Sequence, residues 1–147
     1  MSTYVLTGAG SGIGRLVAER LHARGDTLIL IARDDRRAAD LTAAFPGAVA
    51  VASDLADPTA LADAVAAALP EAIDGIVHAA GIVELGTVAE LPVDAWTSQL
   101  TVNLVAPAEL TRLLLPRVRA ARGQIVFVNS GAGLTAHVGW AAYAASK

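Results

Sequence analysis

The strongest constraint in this sequence is a glycine-rich turn at residues 7–14, with the sequence TGAGSGIG. It follows a short apolar run at residues 4–6 and leads into a helical pattern that begins near Ile13, which predicts a strand, a turn and a helix start. Glycines allow close backbone approach to a ligand, and the free N–H groups at a helix N-terminus attract anions. The turn therefore predicts a phosphate-binding site.

The spacing of this turn is specific. Gly8, Gly12 and Gly14 follow Gly-x-x-x-Gly-x-Gly, which differs from the Gly-x-Gly-x-x-Gly fingerprint. A P-loop is excluded because no Gly-Lys-Ser/Thr ends the turn. On its own the cluster stays open to a second interpretation, a tight turn without a ligand.

The composition limits the class of protein. The 147 residues fit one domain, and 54% hydrophobic with 17% charged residues argues against disorder. A net charge of −3 predicts no nucleic-acid partner. Without cysteine and with three scattered histidines, no metal site is expected. The first strand starts almost at Met1 and no apolar run reaches about 20 residues, so we expect no leader, no membrane span and a cytoplasmic location.

Apolar runs alternate with helical patterns along the chain. An unbroken run such as residues 27–32 is typical of a parallel strand that helices cover on both faces. The alternation predicts an α/β fold, a single Rossmann-type dinucleotide-binding domain over residues 1–147, with five parallel strands in the order 3-2-1-4-5. The other predicted strands cover residues 4–6, 48–52, 75–79 and 124–129, and the helices cover residues 13–24, 36–45, 58–69 and 93–121.

The last of these helices contains two prolines. Pro107 and Pro116 are expected to kink it or end it early, because proline cannot donate the helical hydrogen bond. The leucines predicted to face inward are Leu100, Leu104, Leu110 and Leu114.

A second strong pattern is Tyr143-x-x-x-Lys147, preceded by Ser130. On a helix this spacing places the phenol and the ammonium on one face. A phenol is a poor base at neutral pH, so a cation in a low-dielectric pocket is needed to stabilise its phenolate. Ser130 would then bond a substrate oxygen to which Tyr143 delivers a proton. Alone, such a pair is more typical of an ordinary helix with a solvated Tyr and Lys, whereas its combination with the glycine turn favours a catalytic role.

With the glycine turn, these residues resemble the short-chain dehydrogenase/reductase family over the whole chain. The resemblance implies a hydride-transferring oxidoreductase that uses NADP(H), or NAD, on a small alcohol or carbonyl substrate, as a homodimer or homotetramer. By that resemblance Tyr143 is the acid/base, Lys147 binds the ribose hydroxyls and favours the phenolate, and Ser130 orients the carbonyl. Asn103 would support a water and proton relay through a local helix distortion.

The resemblance also implies a cofactor site. Asp54 resembles the family aspartate that contacts adenine, although a helix-capping role stays open, for which Asp57 is better placed. At residues 78–81 the sequence His-Ala-Ala-Gly departs from the usual Asn-Asn-Ala-Gly, and His78 is expected to be structural rather than catalytic. The cofactor-binding residues implied are Gly8, Ser11, Gly12, Ile13, Gly14, Arg33, Asp54, Leu55, Ala79, Ala80, Gly81, Tyr143 and Lys147.

The end of the second strand bears on the choice of cofactor. An acid there would repel a 2′-phosphate, whereas Arg33 offers a guanidinium and favours NADP. Arg15 and Arg36 add positive potential, which Asp34 and Asp35 partly offset. The alternative is that Arg33 is a solvated loop charge.

The length of the chain bears on its function, for which the oxidoreductase ranks first. Family members usually continue beyond the lysine with further strands and a substrate loop, so we expect this sequence to be C-terminally incomplete. A chain of only 147 residues would favour a non-catalytic NAD(P)-binding or regulatory domain. An epimerase or dehydratase of the related extended group ranks third, because its glycine spacing differs. The substrate is not predicted, and its candidate pocket walls are Leu134, His137 and Trp140.

Overall fold

The computed structural model describes residues 1–66, 69–135 and 137–147, and its centre is one parallel sheet. The five strands lie in the order β3-β2-β1-β4-β5, and every neighbouring pair is parallel, which confirms the predicted α/β fold and strand order. The strands are β1 (Thr3–Thr7), β2 (Thr27–Ala32), β3 (Val49–Ala52), β4 (Gly75–His78) and β5 (Gln124–Phe127). The helices are α1 (Gly12–Ala23), α2 (Asp35–Ala44), α3 (Leu61–Ala66), α4 (Val93–Leu100), α5 (Ala106–Ala121) and α6 (Ala141–Ala145).

Hydrophobic cores lie on both faces of the sheet. Successive strand residues point to opposite faces, so Val5 packs in one core with Leu110 of α5, whereas Leu6 packs in the other with Ala18 of α1 and Phe45. Burial of each large side chain contributes about 1.5 to 3 kcal/mol. Because helices cover both faces, β2 is apolar and buried at every position from Leu28 to Ala32 rather than at alternate ones.

The predicted long helix consists of α4, one π-helical turn (Thr101–Val105) and α5. Leu110 and Leu114 are fully buried, as predicted. The prediction for Leu104 is wrong, since its side chain is 53% exposed and Val102 is the buried residue of this turn. A π-helical turn uses i to i+5 bonds and therefore rotates the buried face away from the 3.6-residue register.

The two prolines act differently. Pro107 lies in the first turn of α5 and has no N–H, so the carbonyl of Asn103 cannot receive an α-helical bond, which fits the π-helical turn. Pro116 does not end the helix, because α5 continues to Ala121. Pro116 and Arg112, four residues before it, are both exposed, so water can reach the carbonyl that the proline leaves unpaired.

The predicted helix at residues 58–69 begins later, at Leu61, and its residues 67 and 68 lie outside the described part of the chain. Within the described ranges, no helix combines the length and the apolar content that a membrane crossing requires. The carboxyl ends of the strands all lie at one edge of the sheet, and this edge carries the glycine turn.

Candidate functional site

The glycine turn joins β1 to α1 in a conformation that only glycine adopts easily. Gly8 and Gly12 have φ of 74° and 54°. A Cβ on Gly8 would lie 2.6 Å from the backbone nitrogen of Ala80, and a Cβ on Gly14 would collide with the carbonyl oxygen of Gly8. The turn is therefore packed tightly between α1 and the segment that follows β4.

Thr7 links the glycine turn to the segment that follows β4 through hydrogen bonds. Its Oγ1 accepts hydrogen bonds from the backbone N–H groups of Ala79 (3.2 Å) and Ala80 (3.1 Å). Thr7 was not among the predicted site residues, although a hydroxyl residue directly before the glycines was a usable signal. Ser11 precedes α1 in an extended conformation and gives the helix no side-chain cap, so the first N–H groups of α1 stay available to an anion.

A cleft of about 730 Å³ opens beside the glycine turn. Its volume falls within the range of about 300–1,000 Å³ that is usual for cofactor sites. Gly14, Tyr143 and Lys147 are not among its lining residues, and Gly14 instead lies beneath the turn. The residues of the implied cofactor site that do line it are Gly8, Ser11, Gly12, Ile13, Arg33, Asp54, Leu55, Ala79, Ala80 and Gly81.

Three arginines line the cleft, and two of them come from the end of the cleft beside the β2–α2 junction. Arg33 is exposed there and forms no ion pair within the described ranges, whereas Arg37 pairs with Asp34 at 3.7 Å. Of the two arginines expected to add positive potential, Arg15 lines the cleft and Arg36 does not. Asp34 caps α2 by accepting the N–H of Arg37, and Arg37 lies one helical turn before Asp40 and Leu41, which also line the cleft. Arg37 was missed because this register depends on where the helix begins.

The two aspartates after β3 bond to different parts of the chain. Asp54 lines the cleft, and its Oδ1 accepts the N–H of Ala56 at 2.9 Å. Asp57 instead bonds within the turn before α3, where its carboxylate accepts hydrogen bonds from the hydroxyl and the N–H of Thr59. The hydroxyl bond, which is the largest cause, lowers the pKa of Asp57 below its ordinary value. Beside Asp54, the buried hydroxyl of Ser53 has no hydrogen-bond partner in the described chain and belongs to the wall of the cleft.

Tyr143 lies on α6, next to Lys147. The helix ends at Ala145, yet the Nζ atom of Lys147 lies 5.7 Å from the centroid of the Tyr143 ring. Trp140 meets the same ring edge-on with centroids 5.6 Å apart, and His137 lies 5.4 Å from Trp140. The phenol thus has a cation on one side and an aromatic neighbour on the other.

Gly81 connects this pair to the cleft. Gly81 lines the cleft, and a Cβ built on it would lie 3.3 Å from both Asn103 Oδ1 and Lys147 Nζ. Asn103 sits in the π-helical turn, so the helix distortion that the resemblance implies is present. Its Nδ2 donates to the Ser146 hydroxyl at 2.8 Å, and that hydroxyl donates to the Tyr143 carbonyl at 2.8 Å. Asn103 is therefore bonded to the helix that carries the tyrosine.

Ser130 lies on a second, smaller cavity of about 330 Å³. Lys147 and Leu134 line the same cavity, whereas Tyr143 lines neither cavity. Ser130 Oγ accepts the N–H of Ala132 at 3.2 Å, which leaves its own hydrogen to donate. The structure thus brings Ser130 and Tyr143 each to Lys147.

His78 is part of the sheet rather than of the cleft. Its side chain is 3% exposed, stacks on Phe127 with centroids 4.7 Å apart, and bonds through Nε2 to Thr111 Oγ1 at 2.9 Å. Its Nδ1 has no partner among the described residues. Burial disfavours the charged imidazole and lowers the pKa of His78 to about 4.

We expect His78 to make folding sensitive to acid. Its pKa is lower in the folded protein than in the unfolded chain, so the unfolded chain binds the extra proton and stability falls as pH drops from about 6.5 towards 4. Between pH 7 and pH 5 the loss is about 2 kcal/mol. In urea unfolding, the free energy of unfolding of His78→Asn should therefore fall by about 2 kcal/mol less than that of the wild type over the same pH interval. An equal loss in both proteins would contradict the burial effect.

Taken together, the sheet order and the glycine turn at the strand ends define a Rossmann-type fold. Residues 2–147 match the family model described as short chain dehydrogenase. The chain belongs to the short-chain dehydrogenase/reductase family, as its motifs predict.

Individual relatives support this placement. The mouse dehydrogenase/reductase SDR family member 7B is 34% identical over 99% of this chain and 49% of its own length. The bovine L-xylulose reductase is 33% identical over 90% of this chain and 56% of its own length. A solved short-chain dehydrogenase from Streptomyces avermitilis superposes with a TM-score of 0.89 at 34% identity, over 99% of this chain and 55% of that one. The chain thus spans about half the length of these relatives.

Proposed function

We propose that this chain forms the cofactor-binding and catalytic part of an NADP(H)-dependent oxidoreductase that interconverts an alcohol and a carbonyl compound. The contact at Gly81 carries the proposal. There the wall of the glycine-lined cleft meets the Nζ atom of Lys147 and the Oδ1 atom of Asn103, and Lys147 in turn lies beside the Tyr143 ring. A dinucleotide in the cleft would thus have its reacting end next to an acid/base pair.

Each protein group has a distinct task in this proposal. When bound, the nicotinamide supplies a hydride to the carbonyl carbon, and Tyr143 supplies the proton to the carbonyl oxygen, so the two-electron reduction is balanced. Ser130 donates its free hydrogen to that oxygen, and Lys147 stabilises the phenolate that remains. Asn103 holds the start of the segment after β4 in place through Ile82. The reverse reaction uses the same groups.

The residues of the cleft also fit NADP better than NAD. The guanidinium of Arg33 is exposed on the cleft without an ion-pair partner among the described residues, and Arg37 lines the same end. A phosphate there would accept charge-assisted hydrogen bonds, which contribute about 1.5 to 3 kcal/mol each. We therefore assign the 2′-phosphate to this end of the cleft.

Replacement of Arg33 by alanine should weaken NADPH binding about ten- to hundredfold and leave NADH binding unchanged, because only NADPH carries the 2′-phosphate. Fluorescence titration of the full-length protein with each cofactor measures both affinities. Arg36→Ala is the matched control, since Arg36 is a neighbouring exposed arginine outside the cleft. NADH affinity equal to or higher than that for NADPH, with no effect of Arg33→Ala, would contradict the cofactor assignment.

Turnover tests the oxidoreductase itself. The full-length protein should oxidise NADPH in the presence of some members of a panel of aldehydes, ketones and keto sugars. Keto sugars belong in the panel because one relative is named a reductase of L-xylulose. Tight NADPH binding without turnover of any member would favour a non-catalytic cofactor-binding domain instead.

A further inference from the structure

We propose that Gln99 is a positioning residue for α6, the catalytic helix that carries Tyr143. Together with Asn103 it binds the segment at residues 82–86, and the far end of that segment bonds to the loop from which α6 begins. The contacts themselves do not depend on the proposed function. Only the effect on catalysis rests on it.

Gln99 and Asn103 bind this segment in the same way. Asn103 accepts the N–H of Ile82 at 2.8 Å and donates to its carbonyl at 2.9 Å. Gln99 accepts the N–H of Glu84 at 3.1 Å and donates to its carbonyl at 3.2 Å. The two amide side chains are four residues apart on neighbouring helical turns, so they bind backbone groups two residues apart, as a partner strand would.

The next residue on the same edge of the segment is Gly86. In an extended chain, residues 82, 84 and 86 present their backbone groups to one side. Gly86 donates its N–H to the carbonyl of Gly139 at 2.6 Å, and its carbonyl accepts the N–H of Ala141 at 3.4 Å. Ala141 is the first residue of α6, which carries Tyr143. The segment therefore links the two amides to the start of the catalytic helix.

Gln99 is suited to this task by its burial. Its side chain has no exposed surface, and its second amide hydrogen is donated to the carbonyl of Ala95 at 3.1 Å. Every donor and acceptor atom of the amide is thus satisfied in a buried site, where hydrogen bonds are stronger than at the surface. An apolar side chain of similar size would fill the space but leave the backbone groups of Glu84 without these partners.

Hydrogen exchange of the full-length protein tests this link. In Gln99→Met, whose side chain has similar length and no amide, the N–H groups of Glu84 and Gly86 should exchange about tenfold faster or more. The N–H groups of β1 should keep their wild-type rates. Thr97→Ala, at an exposed position of the same helix, is the matched control and should exchange like the wild type. Gln99→Glu keeps an oxygen for the Glu84 N–H and should restore part of its protection.

Steady-state kinetics adds the catalytic readout. We expect Gln99→Met to lower kcat about tenfold while the KM for NADPH is unchanged, because the tyrosine and not the cofactor loses its position. The proposed link would be overturned if the Glu84 N–H exchanged at its wild-type rate. It would also be overturned if the Glu84 N–H exchanged faster while the Gly86 N–H kept its wild-type rate. Uniform acceleration that includes β1 would show a purely stabilising role, and faster exchange with unchanged kcat would refute positioning. If the wild type has no turnover, the proposed function fails while the exchange data still decide the link.

Discussion

Replacement of Tyr143 by phenylalanine should lower kcat by at least about a hundredfold, the range in which positioned acid/base groups contribute. Phenylalanine keeps the ring that meets Trp140 and lies beside Lys147, but it has no proton to exchange with the substrate oxygen. Tyr143 lines neither the glycine-lined cleft nor the smaller cavity, so NADPH affinity should stay at its wild-type value. Stopped-flow or steady-state assays together with cofactor titration measure both quantities.

The chain offers a matched control, because it has only one other tyrosine. Tyr4 lies near the amino end of β1, away from the strand ends that carry the cleft, and its hydroxyl accepts a hydrogen bond from Arg24 at 3.0 Å. Tyr4→Phe should keep the wild-type kcat. Near-normal turnover in Tyr143→Phe, or an equal loss in both variants, would reject Tyr143 as the acid/base.

Gly14→Ala should destabilise the folded protein by about 2 to 3 kcal/mol and weaken NADPH binding. Alanine is a better helix former than glycine, so helix propensity alone would predict a gain in stability. The new methyl group would, however, collide with the backbone carbonyl of Gly8, which has no flexible side chain to move aside. The glycine turn must then open, and urea unfolding at constant pH measures the cost.

Gly10→Ala is the matched control for stability. Gly10 lies in the same turn, its φ is not positive, and a Cβ there would meet no heavy atom within 4 Å. Its free energy of unfolding should stay within about 0.5 kcal/mol of the wild type. Equal stabilities of the two alanine variants would show that close packing under the turn is not what requires glycine at position 14.

Much of the fold could be predicted from the sequence, because strands that are buried on both faces appear as unbroken apolar runs. The apolar run at residues 27–32 coincides with β2, and the alternation of elements led to the correct strand order. The inward orientation of Leu104 was wrong for a physical reason. A fixed 3.6-residue period was continued through a segment where Pro107 removes one N–H and a π-helical turn changes the phase.

The candidate site was predictable where its geometry is local. The glycine turn is defined by consecutive residues, so its position between a strand and a helix could be predicted from the sequence. That the turn lines a cleft was visible only in the structure. Arg37 could not be chosen over Arg36 without knowing that Asp34 caps α2. Gln99 was missed because its partner, the backbone of Glu84, carries no side-chain signature and is brought close only by the tertiary fold.

Transfer of deuterium tests the central proposal most directly. The full-length protein would be incubated with NADPH in which both hydrogens of the reactive nicotinamide carbon are deuterium, and with a carbonyl compound that it reduces. The alcohol would be analysed by mass spectrometry. We expect one deuterium on the former carbonyl carbon for each NADP⁺ formed, and loss of this transfer in Tyr143→Phe. Binding of NADPH without any labelled alcohol, across the whole carbonyl panel, would contradict a hydride-transferring enzyme.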